Sequence, residues 1–289
     1  MTFAFHPRRR CKEVESSHDF GIIISHKSAI KFLGLHYFLP SGLILRNATF
    51  DDAAAIANVL SAAFDPSPPF QYRYQFRDKY PVEHWRCTYE SVLQALAVPF
   101  FTLQVIVLPE HRGPGDGSLV SVAGWLDPRG LSKQDWNSGH ALASKCSHKD
   151  ENSTRAADFD QKFSKAQHKY LNDVYGSNQF YLAALATHPD FQGRGYGEQL
   201  VLSGIDMALT LGLDVVTLIA TPMGEPVYFS LGFQSIANFS VTSIDGDLAF
   251  PYDEVYISNM YRRALSLPLH YAKTRKNDVA APVFLKCKR

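Results

Sequence analysis

Leu185-Ala186-Thr187-His188-Pro189-Asp190-Phe191-Gln192-Gly193-Arg194-Gly195-Tyr196-Gly197 is the stretch on which the reading of this chain turns. An apolar run, Phe180 to Ala186, has the character of a buried strand and feeds a turn at His188-Pro189-Asp190. A glycine-rich loop follows and opens directly into an amphipathic helix from about Gly197 to Leu211. The first N–H groups of a helix have no partner in their own ladder, and the helix dipole places roughly half a positive charge there. Glycine removes the side chains that would hold a phosphate away from the backbone. Strand, glycine loop and helix start therefore predict a site for a phosphorylated ligand. Two common phosphate loops are disfavoured by their motifs. The dinucleotide fingerprint G-x-G-x-x-G fails because Glu198 stands where its last glycine belongs, and a P-loop fails because no Gly-Lys-Ser/Thr closes the segment.

What remains is Gln192-x-x-Gly195-x-Gly197. Downstream, Gly212 is placed to end the helix in a left-handed conformation. Val215-Val216-Thr217-Leu218-Ile219-Ala220 then reads as a buried strand, and Pro222 ends it. A short helical segment, Glu225 to Leu231, runs into Gly232-Phe233, so the chain carries Tyr228-Phe229-Ser230-Leu231-Gly232-Phe233. The first of these motifs resembles motif A of the GNAT superfamily of acyl-CoA-dependent N-acyltransferases, Gln/Arg-x-x-Gly-x-Gly/Ala. The second resembles the end of its motif B, Tyr-x-x-Leu-Gly-Phe. Both stand in the family's order with a strand between them, which makes the pair far more specific than either alone. One departure is visible: many members have an asparagine just after the strand, where this chain has Thr221-Pro222-Met223-Gly224.

The resemblance spans roughly residues 43–262 and implies an α/β (α+β) fold, a mixed and mostly antiparallel sheet with helices on both faces. Leu43-Ile44-Leu45-Arg46-Asn47-Ala48 fits a first strand. Thr49 or Asp51 can cap the following helix, where Ile56, Val59, Leu60, Ala63 and Phe64 recur at helical spacing. Leu119 to Leu126 reads as a strand ended by Asp127-Pro128-Arg129-Gly130. An insertion at 128–178 separates it from the motif A strand. Within it, Phe159, Phe163, Ala166, Tyr170 and Val174 mark an amphipathic helix over Ala156–Tyr175, and Ser144 to Thr154 reads as a polar loop. Such an insertion either shapes one wall of a substrate cleft or packs as an appendage or dimer contact. The expected organisation is an N-terminal extension (1–41), a catalytic domain (42–264) and a basic C-terminal tail (265–289). For the extension, an extra strand through Ile22-Ile23-Ile24 and a mobile tail both remain open. A mitochondrial presequence is disfavoured by Glu13, Glu15 and Asp19 close behind Arg8-Arg9-Arg10.

Composition sets outer bounds. With 289 residues, 46% of them hydrophobic, the chain can bury a sizeable core. A net charge of +1 implies no general attraction to nucleic acid or acidic membranes, and no apolar run reaches the length of a bilayer span. Cys11, Cys87, Cys146 and Cys287 are scattered without metal-ligand spacing and read as reduced thiols of an intracellular protein that needs no metal, with the cytoplasm the expected compartment and mitochondrion and nucleus left open. A monomer and a homodimer are both compatible with this.

The resemblance implies that acetyl-CoA is the co-substrate and that a primary amine of a small molecule or peptide is the acceptor, attacking directly in a ternary complex. It places the coenzyme pyrophosphate on the loop amides of Gln192, Gly193, Arg194, Gly195, Tyr196, Gly197 and Glu198. It places the pantetheine arm along the backbone of Leu185, Ala186 and Thr187. Tyr228 takes the position of the family's general-acid tyrosine, in reach of the departing sulfur. No base is assigned. His188 sits in a turn, Glu225 can serve as a helix-start acid, Asp127 precedes a proline as turn formers do, and a chain of waters can replace any of them. The aromatic segment Pro66-Ser67-Pro68-Pro69-Phe70-Gln71-Tyr72-Arg73-Tyr74-Gln75-Phe76 follows the first helix and suggests an aromatic-lined acceptor pocket. The alternative reading is a catalytically silent acyl-CoA-binding module that keeps the loop and lacks a working base.

Overall fold

The computed structural model describes residues 43–109, 118–131, 146–242 and 254–263, the last stretch as backbone with the side chains of Met260 and Arg262. The N-terminal extension, the basic tail, Cys11, Cys287 and residues 132–145 of the insertion lie outside the described residues. The strands are β1 (Ile44–Asn47), β2 (Phe101–Leu108), β3 (Ser118–Leu126), β4 (Gln179–Thr187), β5 (Val215–Ala220), β6 (Gln234–Thr242) and β7 (Glu254–Arg263). The helices are α1 (Ala53–Phe64), α2 (Pro68–Arg73), α3 (Pro81–Ala97), α4 (Ser153–Gln167), α5 (Tyr196–Thr210) and α6 (Glu225–Ser230). The strands form one sheet in the order β1-β2-β3-β4-β5-β7-β6. Every pairing is antiparallel except β4 with β5, which α5 joins as a parallel crossover. This is the expected mixed, mostly antiparallel sheet. No helix among the described residues is long and apolar enough to cross a membrane.

Each face of the sheet is covered for a reason visible in the side chains. On one face Ile56 and Val59 of α1 and Val92 and Ala95 of α3 pack against Leu103, Val105, Val122 and Leu126. The chain enters α1 through a local lock: the Thr49 N–H donates to Asp52 at 2.7 Å, and Arg46 holds the same carboxylate at 2.7 Å. Asp52, rather than Asp51, is therefore the acid that organises the helix entry. On the opposite face Trp125 of β3 stacks on Phe180 of β4 with ring centroids 5.1 Å apart, and α5 lies over them. Gly204 makes that approach possible, because a Cβ there would fall 1.9 Å from the Trp125 ring. After α5, Gly212 takes φ 71° and closes the helix, with the Leu213 N–H donating to the Ala208 carbonyl at 2.9 Å.

β4 is irregular at its centre. Gly124 pairs with Ala184 and Trp125 with Leu182, so Ala183 is an extra residue in the ladder to β3. On its other edge β4 pairs with β5 only from Gln179↔Val215 to Leu182↔Leu218. A bulge bends its strand and increases local twist, and here β4 parts from β5 directly after Leu182. Because the extra residue inverts the side-chain alternation, Tyr181 and Ala186 both reach the core beneath α1.

The expected helix of the insertion forms as α4 and continues through a π-helical segment, His168–Asn172, to a last turn, Asp173–Tyr175. The polar stretch before it is less exposed than its composition suggests, since Asp150 is wholly buried. Two of the cysteines are not free thiols. Cys87 of α3 and Cys146 form a disulfide with a sequence separation of 59, which corrects the sequence reading for this pair. The spacing alone carried no sign of it.

Two stability predictions follow from this packing. Gly204→Ala is expected to cost about 1–3 kcal/mol, the range for overpacking a filled core, seen as a lower midpoint in urea. A wild-type midpoint would mean that α5 does not press on Trp125. Cys87→Ser combined with Cys146→Ser is expected to lose about 2–4 kcal/mol by relaxing the unfolded chain. Equal midpoints for wild type and the double variant under non-reducing conditions would show the bridge absent in solution.

Candidate active site

The parted strands create the site. Beyond Leu182 no strand pairs with the β5-facing edge of β4 among the described residues. The alternate N–H and C=O groups on that edge can pair with an extended ligand, as an added strand would. A cavity of about 530 Å³ runs along it from Leu182 to Thr187 and ends at the glycine loop and the start of α5. All the strand and loop residues singled out from the sequence line this cavity except Arg194. The Arg194 guanidinium turns back instead, donating to the Asp190 carbonyl at 3.0 Å and lying over the Phe191 ring at 5.2 Å.

The loop is built for a close approach to its backbone. Gly193 has φ 73° and Gly195 has φ 79°, and nothing lies within 4 Å of where a Cβ would stand at either. Gln192 closes the loop by donating its amide to the Thr187 carbonyl at 3.0 Å. Gly195 is the N-cap of α5, so the first-turn amides of that helix point out of the loop with no intrahelical partner. Gly197 is a different case. An added Cβ there would meet Leu185 and Thr187 at 3.6 Å, an ordinary contact, so the backbone demands glycine at Gly193 and Gly195 rather than at Gly197.

Tyr228 lines the same cavity from α6. Burial pushes its phenol well above the ordinary tyrosine range, so the group stays protonated at any working pH. Its ring packs edge-on against Phe233 at 5.7 Å, and Gly224 permits this seat because a Cβ there would stand 3.1 Å from the ring. The turn that lacks the family's asparagine caps itself: the Thr221 carbonyl accepts the Gly224 N–H at 2.9 Å and the Glu225 N–H at 3.2 Å.

A second cavity, of about 390 Å³, lies under α2 and α3 and shares Phe64, Ser67, Ala183, Ala184 and Thr221 with the first. The aromatic segment supplies its wall as a short helix, with Phe70 and Tyr74 in contact at 4.4 Å. The insertion supplies another part of it through His148, Asp150 and Phe159, so the insertion forms a cleft wall. Its polar loop is thus not a solvent-side segment that can be exchanged freely. His84 and Asp150 meet here, Nδ1 to Oδ2 at 2.6 Å, across 66 residues of sequence. Arg73 also lines the cavity but is held by Glu151 at 2.9 Å and Asp160 at 2.7 Å. Cys87, His148 and Asp150 bring potential ligand atoms within 4.8 Å of one another. With Cys87 in the disulfide, no thiolate is present there for a metal.

The residues weighed as bases from sequence lie elsewhere. His188 caps a 3₁₀ turn by accepting the Asp190 N–H at 3.4 Å. Asp127 is clasped by Arg129 at 2.6 Å, which holds its carboxyl below the usual range. Neither they nor Glu225 line either cavity. The pair that sequence reasoning missed, His84 and Asp150, belongs to no local motif and becomes visible only once α3 and the insertion pack together.

Comparison with known proteins agrees with this geometry. Residues 158–233 match the family model described as acetyltransferase (GNAT) family. An acetyltransferase of Stachybotrys chartarum (strain CBS 109288 / IBT 7711) is 24% identical over 213 residues, covering 72% of this chain and 87% of that protein. Among solved structures, arylalkylamine N-acetyltransferase 2 from Aedes aegypti superposes with a TM-score of 0.51 at 16% identity, covering 77% of this chain and 99% of that one. A mosquito arylalkylamine N-acetyltransferase like 5b gives a TM-score of 0.50 at 14% identity, covering 77% and 100%. These likenesses establish the fold, and the stretch that matches the GNAT acetyltransferase family runs from the helix of the insertion to Phe233 and so carries both motifs.

Proposed function

We propose that this protein transfers an acetyl group from acetyl-CoA to the primary amine of a small molecule by direct attack in a ternary complex. The observation that carries this reading is the junction of the two cavities at Ala183, Ala184 and Thr221, where β4 leaves β5. One cavity offers what a coenzyme needs, namely open amides at a helix start, a free strand edge and a protonated phenol. The other offers what an amine needs. Phe70 and Tyr74 can cover an aryl or alkyl body and attract a cation over their faces. Asp150 is the carboxylate that lines this cavity, and the charge of Arg73 beside it is already met by Glu151 at 2.9 Å and Asp160 at 2.7 Å. A volume of about 390 Å³ suits a small molecule better than a peptide chain. The two fold relatives named as arylalkylamine N-acetyltransferases point in the same direction.

In this reading acetyl-CoA supplies the activated thioester, and the chain supplies position and protons. The amides of Gly193 to Glu198 would hold the pyrophosphate, and the edge of β4 from Ala183 to Thr187 would align the arm. A β4 N–H would stabilise the carbonyl oxygen as it gains charge. Tyr228, neutral and part of the cleft lining, would protonate the departing sulfur. A silent acyl-CoA-binding module accounts for the glycine loop. It gives no role to an aromatic cavity that holds the His84–Asp150 pair and opens on the same strand.

Thiol release from acetyl-CoA across a panel of amines tests the reading, with arylalkylamines expected to be the best acceptors. Coenzyme binding with no amine-dependent release would favour the silent module. Gly195→Val forces a branched residue into φ near 79° at the cradle and is expected to weaken coenzyme A binding at least ~10-fold. Unaltered affinity in a folded variant would remove the loop from the site. Tyr228→Phe is expected to lower kcat by roughly 10²-fold while the KM for acetyl-CoA changes little. Wild-type turnover would leave Tyr228 a packing residue.

A further inference from the structure

We infer that His84 is the general base of the transfer and that Asp150 positions it. The inference rests on the acetyl-transfer reading above and supplies the group that the motifs leave unnamed.

The geometry has three parts. His84 lies on α3, is buried, and lines the cavity assigned to the acceptor. Its Nδ1 faces Asp150 Oδ2 at 2.6 Å, and Asp150 is wholly out of solvent. A carboxylate in that position accepts Nδ1–H and so fixes the tautomer that leaves a lone pair on Nε2. Nε2 has no partner among the described residues, so it is the ring atom free to meet a ligand. Phe70 and Tyr74 hold the imidazole edge-on at 5.4 and 5.0 Å, which sets its plane. Asp150 Oδ1 is also buried and makes no hydrogen bond among the described residues, so His84 is the hydrogen-bond partner that holds this carboxylate.

The surroundings leave little competition for the role. Arg73 is spent on Glu151 and Asp160. Burial pushes the Tyr74 phenol up to about 12, so it is not a base near neutrality. Cys87 is in the disulfide, and His148 Nδ1 lies 3.9 Å from Asp150 Oδ1 and 3.4 Å from Glu151, beside the pair. The disulfide itself ties α3, three residues after His84, to the loop that delivers Asp150.

The proton balance is complete. An alkylamine arrives as an ammonium, and Nε2 of His84 takes one proton from it. The freed lone pair forms the C–N bond at the thioester carbonyl as the C–S bond breaks with its electron pair on sulfur. Tyr228 gives sulfur a proton and is restored by the second proton leaving nitrogen. The proton on His84 returns to solvent. Ammonium and thioester thus give amide, thiol and one proton.

The test is steady-state thiol release with an arylalkylamine acceptor, measured against pH for wild type, His84→Gln and Asp150→Asn, with coenzyme A affinity measured in parallel. Each variant is expected to lose roughly 10²-fold in kcat/KM for the amine at neutral pH and to bind coenzyme A as wild type does. The deficit is expected to shrink as pH rises and solution delivers neutral amine, and to shrink with a weakly basic amine that is already neutral. A purely structural role would produce a deficit constant across pH and across amines, and that result overturns the assignment. So does wild-type kcat/KM in His84→Gln. If wild type releases no thiol with any amine, the acetyl-transfer reading falls first and the base assignment falls with it.

Discussion

The site depends on one extra residue in one strand. Ala183 has no counterpart on β3, and the pairing of β4 with β5 stops at Leu182, directly before it. A continuous parallel pairing would have spent the amides and carbonyls of that edge on the ladder, as sheets require. Parting the strands leaves them unspent in a cleft that is already walled by core elements. Nothing else in the fold needs to move to make room, because α1 and α5 hold the two faces of the sheet independently of that edge. The cleft thus lies between the glycine loop at one end and the aromatic cavity at the other.

The insertion converts this general cleft into a particular one. A hairpin connection between β3 and β4 would leave the space under α2 and α3 open to solvent. Here the segment before α4 folds into it and brings Asp150, wholly buried, against His84. Burying a carboxylate is costly unless it is paired, so its presence in an aromatic cavity needs a partner, and the histidine supplies one. The Cys87–Cys146 bridge fixes the two elements that carry the pair, which keeps the ring and the carboxylate in register without relying on loop packing.

How much of this was legible in the sequence divides along a physical line. The glycine loop and α5 were readable because their signal is local, glycines directly before an amphipathic run, and the second motif downstream separated that signal from a plain tight turn. The helix of the insertion was readable from Phe159 and Phe163, which do face the cleft. The bulge was not, because Phe180 to Ala186 is apolar throughout and no alternation marks where it inverts. The Pro68-Pro69 start of α2 carried a usable signal, since proline favours the first turn of a helix. The His84–Asp150 pair and the disulfide, separated by 66 and 59 residues, are products of packing and have no trace in spacing.

The central claim is that the parted edge of β4 is where donor and acceptor meet. A crystal structure with a bisubstrate analogue, an arylalkylamine joined through its acetyl group to coenzyme A, tests this most directly. The account predicts the pyrophosphate on the amides of Gly193 to Glu198, the linker beside Ala183 and Ala184, and the aryl group between Phe70 and His84. An aryl group lodged anywhere other than the cavity under α2 and α3, with the coenzyme part seated in the loop, would contradict it.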